Sequence, residues 1–541
     1  MSHRRPPGTA GLRARPDFVE TAGVVVSFRL SSGSARRLIS ELHCPRLRGR
    51  QRGRPNQEQT MAAESTLEFR QTSGQTLRLP AERWQELRAA FRGSLLSAAD
   101  PGYEETRRVW NAMIDRRPAL IARATGTADV VAAVRFARQH QLLLSVRGGG
   151  HNIAGLAVCE GGLMLDLSLL RGVFVDPAAK TALAQPGCTL ADVDRETQLH
   201  GLAAVLGFVS TTGIAGFTVG GGFGYLTRRE GWTCDTLRSL EVVLADGQVV
   251  RASAKENAEL FWCLRGGSGN FGIVTAFEYE LFEVGPTVIG GAVAWHGADA
   301  PEVLRFFAEF SASAPRELTL VASLRLAPPA PWLPKEIHGK PMIMILACYT
   351  GAPEQGEAVV APLKKFGKPV ADILTRRPYA AMQSMLDATQ PKGRRYYWKS
   401  EYLSSLEPDA LATIAQCAAK NSAPHSAILV FQLGGKLNEL PADHSPMGNR
   451  DARYVLNIAG SWETPGEDAA QLAYTRETWQ ALRRFSTGGV YLNFLTEDEG
   501  ADRVRAAYGE ETLRRLAALK VKYDPSGLFS HTKRLEVSGS R

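Results

Sequence analysis

Val146-Arg147-Gly148-Gly149-Gly150-His151-Asn152 follows directly on the apolar run 142–146, so three glycines and a histidine stand where a strand is predicted to end. Glycines there let the backbone turn through positive φ and bring several N–H groups toward one point. Such a nest holds an anion, most often a phosphate. The same residues would also suit a glycine-rich surface turn with a solvated histidine, and the stretch alone leaves both readings open. Upstream, the short apolar run 120–124 and a helix opening at Thr127, with Val130, Val131, Val134 and Phe136, complete a strand–helix–strand pattern.

A second cluster covers 210–224, Ser210-Thr211-Thr212-Gly213-Ile214-Ala215-Gly216-Phe217-Thr218-Val219-Gly220-Gly221-Gly222-Phe223-Gly224, with six glycines in fifteen residues. It does not match a nicotinamide-binding turn, which needs its glycines at a strand-to-helix junction and an acid about 20 residues on. The run 220–224 opens no clear helix, and Asp235 lies on no recognisable strand end. A third loop, Arg265-Gly266-Gly267-Ser268-Gly269-Asn270, leads into a predicted strand over 272–281. Three glycine loops, each bordering a β-like run, point to one extended ligand wrapped by backbone.

Between these loops the sequence predicts strands at 163–167, 173–175 and 181–185 and a helix over 190–200. A hairpin follows, 241–245 with 248–252 about Asp246-Gly247. A helix is expected over 78–99, from the spacing of Trp84, Leu87 and Phe91. Near Val284-Gly285-Pro286 the texture changes. Residues 288–485 mix strands (319–326, 342–349, 427–433, 454–462) with amphipathic helices (301–312, 355–366, 407–419, 465–485). This reads as a second α+β domain, an antiparallel sheet under helices. The tail 486–541 carries a helix with Leu513, Leu516 and Leu519, stopped by Asp524-Pro525-Ser526-Gly527.

Taken together, 146–152, Gly161-Gly162-Leu163-Met164-Leu165-Asp166-Leu167-Ser168, 210–224 and 265–274 resemble the p-cresol methylhydroxylase/vanillyl-alcohol oxidase flavoproteins. Tyr491-Leu492-Asn493-Phe494, followed by Tyr523-Asp524-Pro525, resembles the C-terminal segment of their berberine-bridge-enzyme-like branch. The resemblance is strong over 80–290, good over 486–530 and weaker over 288–485. It implies an α+β chain with a two-subdomain FAD-binding domain over 61–287. A substrate domain over 288–485 and a segment over 486–541 returning to the flavin complete it. It further implies FAD joined covalently through His151. Val146, Arg147, Gly148, Gly149, Gly150 and Asn152 would embrace the cofactor with Ser210, Thr211, Gly213, Gly216, Gly220, Gly221 and Gly224. Ile273 and Asn493 would complete the set. Many relatives add a second bond from a Cys; Val209 stands at that position, so a single attachment is expected, with Cys188 a buried thiol. The chain end, Phe529-Ser530-His531-Thr532-Lys533, departs from the Asn-x-Asn ending of many relatives.

The resemblance implies an oxidoreductase taking hydride from a small alcohol, sugar or amine, with O2 or another acceptor receiving the electrons; a dehydrogenase of the same fold is the alternative. Tyr491 is the first catalytic candidate. A phenol with a pKa near ~10 needs neighbouring positive charge to act as a base. Arg394-Arg395-Tyr396-Tyr397-Trp398-Lys399 offers that charge and a second phenol, Tyr397, or else is a basic edge strand with core aromatics. His444 reads as a solvated loop residue, and His200 as a favourable residue at a helix C-terminus. No His, Asp or Glu spacing suggests a metal.

The net charge of +9 first suggests an anionic partner. Residues 1–60, however, hold twelve Arg and four acids, so +8 lies there and the rest is near neutral. That stretch reads as a disordered arm or an over-extended start with the true one at Met61. Nucleic-acid binding through it is a remote alternative, since no recognition helix or stacking platform accompanies it; neither nucleic acid nor membrane is expected as a partner. Seven scattered cysteines without a Cys-x-x-Cys pair suit reduced thiols and a cytoplasmic setting. Monomer and dimer both remain open.

Overall fold

The computed structural model describes residues 66–535; the arm and the start expected within 1–61 lie outside the described residues. Three sheets organise the chain. The first has four strands in the order Ser94–Leu96, Leu120–Arg123, Leu163–Asp166, Leu144–Arg147. Its last three pair in parallel. Helix Thr127–Gln139 crosses over between two of them and buries Val130, Ala133, Val134 and Ala137 against Leu120, Leu144 and Leu165. Strand Leu144–Arg147 therefore delivers the glycine-histidine loop at its C-terminal end, where α/β sheets place their ligands.

The second sheet has five strands in the order Val249–Ser253, Leu237–Val243, Ile273–Glu280, Thr181–Ala184, Val173–Asp176, all antiparallel. It alternates as an antiparallel sheet with one covered face should: Ala182, Ala184, Phe277 and Tyr279 are buried, whereas Leu183 is exposed. Helix Leu190–Thr197 is fixed at its start by a capping box between Thr189 and Asp192.

The third sheet has eight strands. Its antiparallel path runs Ala371–Asp372, Thr287–His296, Pro341–Tyr349, Leu318–Leu326, Ala427–Gln432, Tyr454–Trp462, Arg395–Leu403, with Thr375–Pro378 also pairing Thr287–His296. Period two divides its faces. Leu320, Ala322, Leu324, Ile343 and Ile345 pack in one core with Val303, Leu304 and Phe307 of helix Ala300–Ser313 and Leu411 and Ile414 of helix Pro408–Ala419. Val321, Ser323, Arg325, Met344 and Leu346 line a cavity on the other side. The tail returns to the main core through Tyr491, Leu492 and the helix Glu510–Tyr523, which inserts Leu513, Leu516 and Leu519. Asp524 ends that helix by accepting the N–H groups of Leu528 (2.9 Å) and Phe529 (2.8 Å).

Two elements differ from expectation. The helix expected over 78–99 spans only Ala81–Ala90. Leu79 closes the hairpin Leu67–Arg70/Thr76–Leu79, and Ser94–Leu96 leaves to pair with Leu120–Arg123. Tertiary pairing thus overrides a helical period at both ends. Strand Thr287–His296 has no counterpart in the sequence reading, because it is buried on both faces and shows no alternation. Among the described residues no helix is long and apolar enough to cross a membrane.

Candidate active site

A cavity of about 330 Å3 lies where the glycine loops, the large sheet and the tail converge. Two of the loops touch at backbone distance. A Cβ on Gly149 would stand 2.5 Å from Gly213 Cα, so only glycine permits the crossing. Gly213 is held there by ladder bonds between Leu190 N–H and Thr212 O (2.9 Å) and between Ile214 N–H and Cys188 O (2.9 Å). The segment 210–224 contains a helix, Ile214–Val219, which presents Gly216 to the cavity. A Cβ on Gly216 would meet no protein atom within 4 Å.

The loop itself leaves its donors unused. None of the N–H groups of Gly148, Gly149, Gly150, His151 and Asn152 reaches an acceptor among the described residues. Asn152 Oδ1 closes the turn by accepting from Ala154 (3.1 Å) and Leu156 (3.2 Å) N–H. All five residues line the cavity, Gly150 buried and the other four half-buried, so their unused N–H groups are open to an external acceptor.

His151 stacks on Trp110 (centroids 4.2 Å apart, planes at 18°), and Trp110 stacks in turn on Tyr396 (3.6 Å, 12°). Asn111 locks this ladder by donating to Ile153 O (3.1 Å) and Tyr396 O (2.9 Å). The imidazole lines the cavity, and burial draws its pKa down to about 4. It is therefore neutral near pH 7, and its Nε2 has no hydrogen-bond partner. A neutral, oriented, unpartnered imidazole nitrogen is a nucleophile awaiting an electrophile.

Tyr491 closes the cavity from the tail. Its ring stacks on Trp232 (5.7 Å, 6°) and meets Phe223 and Phe494 edge-on. Its hydroxyl oxygen accepts from Gly222 N–H (3.0 Å) and from Asn493 Nδ2 (3.0 Å). Burial raises its pKa above the ordinary phenol value, so the hydroxyl keeps its proton.

Comparison with known proteins agrees with this geometry. Residues 118–253 match an FAD-binding-domain family and residues 490–535 the "berberine and berberine like" family. The chain is 31% identical to (R)-6-hydroxynicotine oxidase of Paenarthrobacter nicotinovorans, over 83% of this chain and 98% of that protein. It is 30% identical to an FAD-linked oxidoreductase of Dictyostelium discoideum, over 79% and 90%. The chain belongs to the berberine-bridge-like FAD-linked oxidoreductases. The fold agrees too. The crystal structure of 6-hydroxy-D-nicotine oxidase from Arthrobacter nicotinovorans superposes with a TM-score of 0.74 at 27% identity, covering 82% of this chain and 98% of that one. Xylooligosaccharide oxidase from Myceliophthora thermophila gives 0.74 at 21% identity, covering 85% and 100%.

In this FAD-linked oxidoreductase most of the expected cofactor residues face one cavity: Val146, Gly148, Gly149, Gly150, His151 and Asn152, and with them Gly213, Gly216, Ile273 and Asn493. Six expected contacts are not on its wall. The Arg147 guanidinium turns away to Thr106 O and, at 3.8 Å, to Asp166. Ser210 gives both its N–H (2.7 Å) and its hydroxyl (2.6 Å) to Asp387. Gly220, Gly221 and Gly224 serve close packing: a Cβ would strike Asn493, Met447 and Leu206 O respectively. Thr211 is exposed and outside the lining as well. Val209 lines the cavity, whereas Cys188 is fully buried with its thiol pushed up to about 12 by burial.

Tyr397 requires correction. Strand alternation sends Trp398 into the cavity and Tyr397 to the opposite face, where it donates to Asp498 (2.6 Å) and accepts from Arg476 (3.0 Å). The charges of its run are spent as well. Arg395 forks onto Asp468 (2.6 and 2.6 Å), and Lys399 meets Asp498 at 3.2 Å. No base-activating cation from 394–399 therefore reaches Tyr491. His444 is not merely solvated either; it lies 3.2 Å from Arg265 and 3.8 Å from Asp235. Asp235 forms a buried pair with Arg450 (2.8 and 3.0 Å) and accepts Trp232 N–H at 3.0 Å, steadying the ring under Tyr491. Trp110 and Asn457 were not legible beforehand, since an isolated loop aromatic and a strand amide carry no motif.

Proposed function

We propose that this chain is an oxidase of small alcohols, sugars or amines that carries FAD on His151 through one covalent bond and uses O2 as electron acceptor. When bound, FAD supplies the hydride-accepting ring, at its N5, and the path of electrons to oxygen. The observation that carries the proposal is the meeting of five unpartnered N–H groups and an unpartnered His151 Nε2 in one cavity. The N–H groups suit a pyrophosphate, with charge-assisted hydrogen bonds in place of lost water. Trp110 holds the imidazole plane against rotation. Val209 offers no thiol for a second bond.

In this reading residues 61–287 and 486–541 hold the cofactor, and 288–485 present the substrate. Tyr491 acts as a protonated hydrogen-bond donor rather than a phenolate base. Both hydrogen bonds it receives leave its own proton free for a substrate oxygen or nitrogen, and burial opposes its ionisation. Asn493 fixes the hydroxyl and is itself anchored by Phe217 O at 3.1 Å.

The test is acid precipitation of purified protein followed by peptide mapping. A yellow pellet with flavin mass on the peptide containing His151 is expected, lost in His151→Ala; a colourless pellet would reject the covalent bond. Stopped-flow mixing of reduced enzyme with air should return the flavin colour rapidly. Slow return would reject the oxidase in favour of a dehydrogenase.

A further inference from the structure

The cavity face of the large sheet holds polar groups that the site above does not use. Register places Arg325 opposite Ala427, Ala427 opposite Ala459, and Ala459 opposite Trp398. Two neighbouring strands thus offer only methyl groups between a guanidinium and an indole. The result is a trough three strand spacings wide, roughly 14 Å between outer Cα positions. One pair further along, Ser323 lies opposite Leu429, and Leu429 opposite Asn457. All of these residues line the cavity.

Several polar atoms in this trough lack partners. Arg325 donates only through Nε to Leu326 O (3.3 Å) and through Nη2 to Pro424 O (3.4 Å). It has no carboxylate in ion-pair reach and no acceptor for Nη1 among the described residues. Glu463, the nearby acid, is taken by His425 (3.1 Å) and approached by Arg394 (3.8 Å). Asn457 is 2% exposed, and its Oδ1 has no partner. Trp398 Nε1 is likewise buried and unpaired. Burial, with Arg394 adding to it, draws the Arg325 pKa down to about 10, the mark of a cation short of a counter-charge. A half-buried guanidinium on a cavity wall without an anion has given up part of its hydration, and a ligand carboxylate makes that up.

We infer that this trough is a subsite for a ring-bearing carboxylate. Arg325 takes the carboxylate, the ring lies on Ala427 and Ala459 against Trp398, and Asn457 bonds a polar ring substituent. The inference deepens the proposed function by naming a substrate class for the same cavity, and it rests on that reading.

Titration of the holoenzyme with benzoate and with benzamide, its uncharged isostere, tests it by flavin absorbance and in parallel by calorimetry. Benzoate should bind at least about tenfold tighter than benzamide. Arg325→Gln should abolish the preference while leaving flavin content unchanged and the melting temperature no lower, and Arg325→Lys should restore part of the preference. Equal binding of the two probes, binding of neither, or a preference surviving in Arg325→Gln would overturn the subsite. A colourless protein that still prefers benzoate by calorimetry would instead reject the flavin reading and leave the subsite standing.

Discussion

Replacing Gly149 by Ala probes why two glycine loops are held at backbone contact. The added Cβ would stand 2.5 Å from Gly213 Cα and 2.6 Å from its nitrogen, where ordinary contact begins at 3.4 Å. The loops must therefore part by about 1 Å, and close-packed backbone on both sides has little room to yield. Overpacking costs ~1–3 kcal/mol, and backbone against backbone belongs at the upper end. A loss of ~3 kcal/mol from the bound state corresponds to roughly 150-fold in cofactor affinity. Gly216→Ala is the control of opposite sign. Its methyl meets no protein atom within 4 Å but points into the cavity, and inside a helix Ala stabilises by ~0.5–1 kcal/mol over Gly. The assay is flavin per chain, by absorbance, beside thermal melts of flavin-free and flavin-bound protein. Gly149→Ala should lose both flavin and stability. Gly216→Ala should lose flavin while the flavin-free protein melts no lower than wild type. Full flavin loading in both variants would refute the placement of the cofactor between these loops.

Tyr491→Phe leaves the Gly222 N–H and the Asn493 amide without their acceptor, a penalty of ~1–3 kcal/mol. Turnover should fall at least about tenfold with flavin retained, and steady-state kinetics on loaded enzyme reads it. Because the Tyr491 pKa is raised, its proton stays on in the folded state while unfolded phenols ionise above ~10. Its contribution to stability is thus full below that pH and falls above it, and kcat should show no Tyr491 limb below pH ~10. In flavin-free protein His151 works in the other sense. With its folded pKa near 4 and the unfolded value 6.5, the unfolded state binds the extra proton in between, so stability should rise from pH 4 to pH 6.5. His151→Ala should flatten that slope in denaturant titrations. Asp235→Asn strips the charge from a buried pair and should cost ~3–5 kcal/mol, seen as a lower midpoint in denaturant, with turnover reduced because Trp232 under Tyr491 loosens.

Local chemistry made much of this protein legible in one dimension. Runs ending in glycine and a strict leucine period in Glu510–Tyr523 depend on neighbours a few residues away, so their spacing survives in the sequence. The five-stranded sheet alternates because one of its faces meets solvent, and its strands were readable for that reason. Thr287–His296, buried on both faces, gave no such signal.

The glycine loops and His151 stand out in the sequence as glycine runs at strand ends, but the stretch 146–152 alone left a solvated turn open, and its contact with Gly213 is a tertiary fact. Which side of a strand looks into the cavity was not legible there. Tyr397 and Trp398 are neighbours of like composition, and only sheet register and the packing of helix Asp468–Leu482 against that strand turned one inward and the other toward Asp498. The stacking of Trp110 between His151 and Tyr396 joins residues far apart in the chain, and the Arg325 guanidinium is left without a carboxylate among the described residues. Such facts are properties of distances between elements, which folding sets when it closes the sheets around a shared cavity.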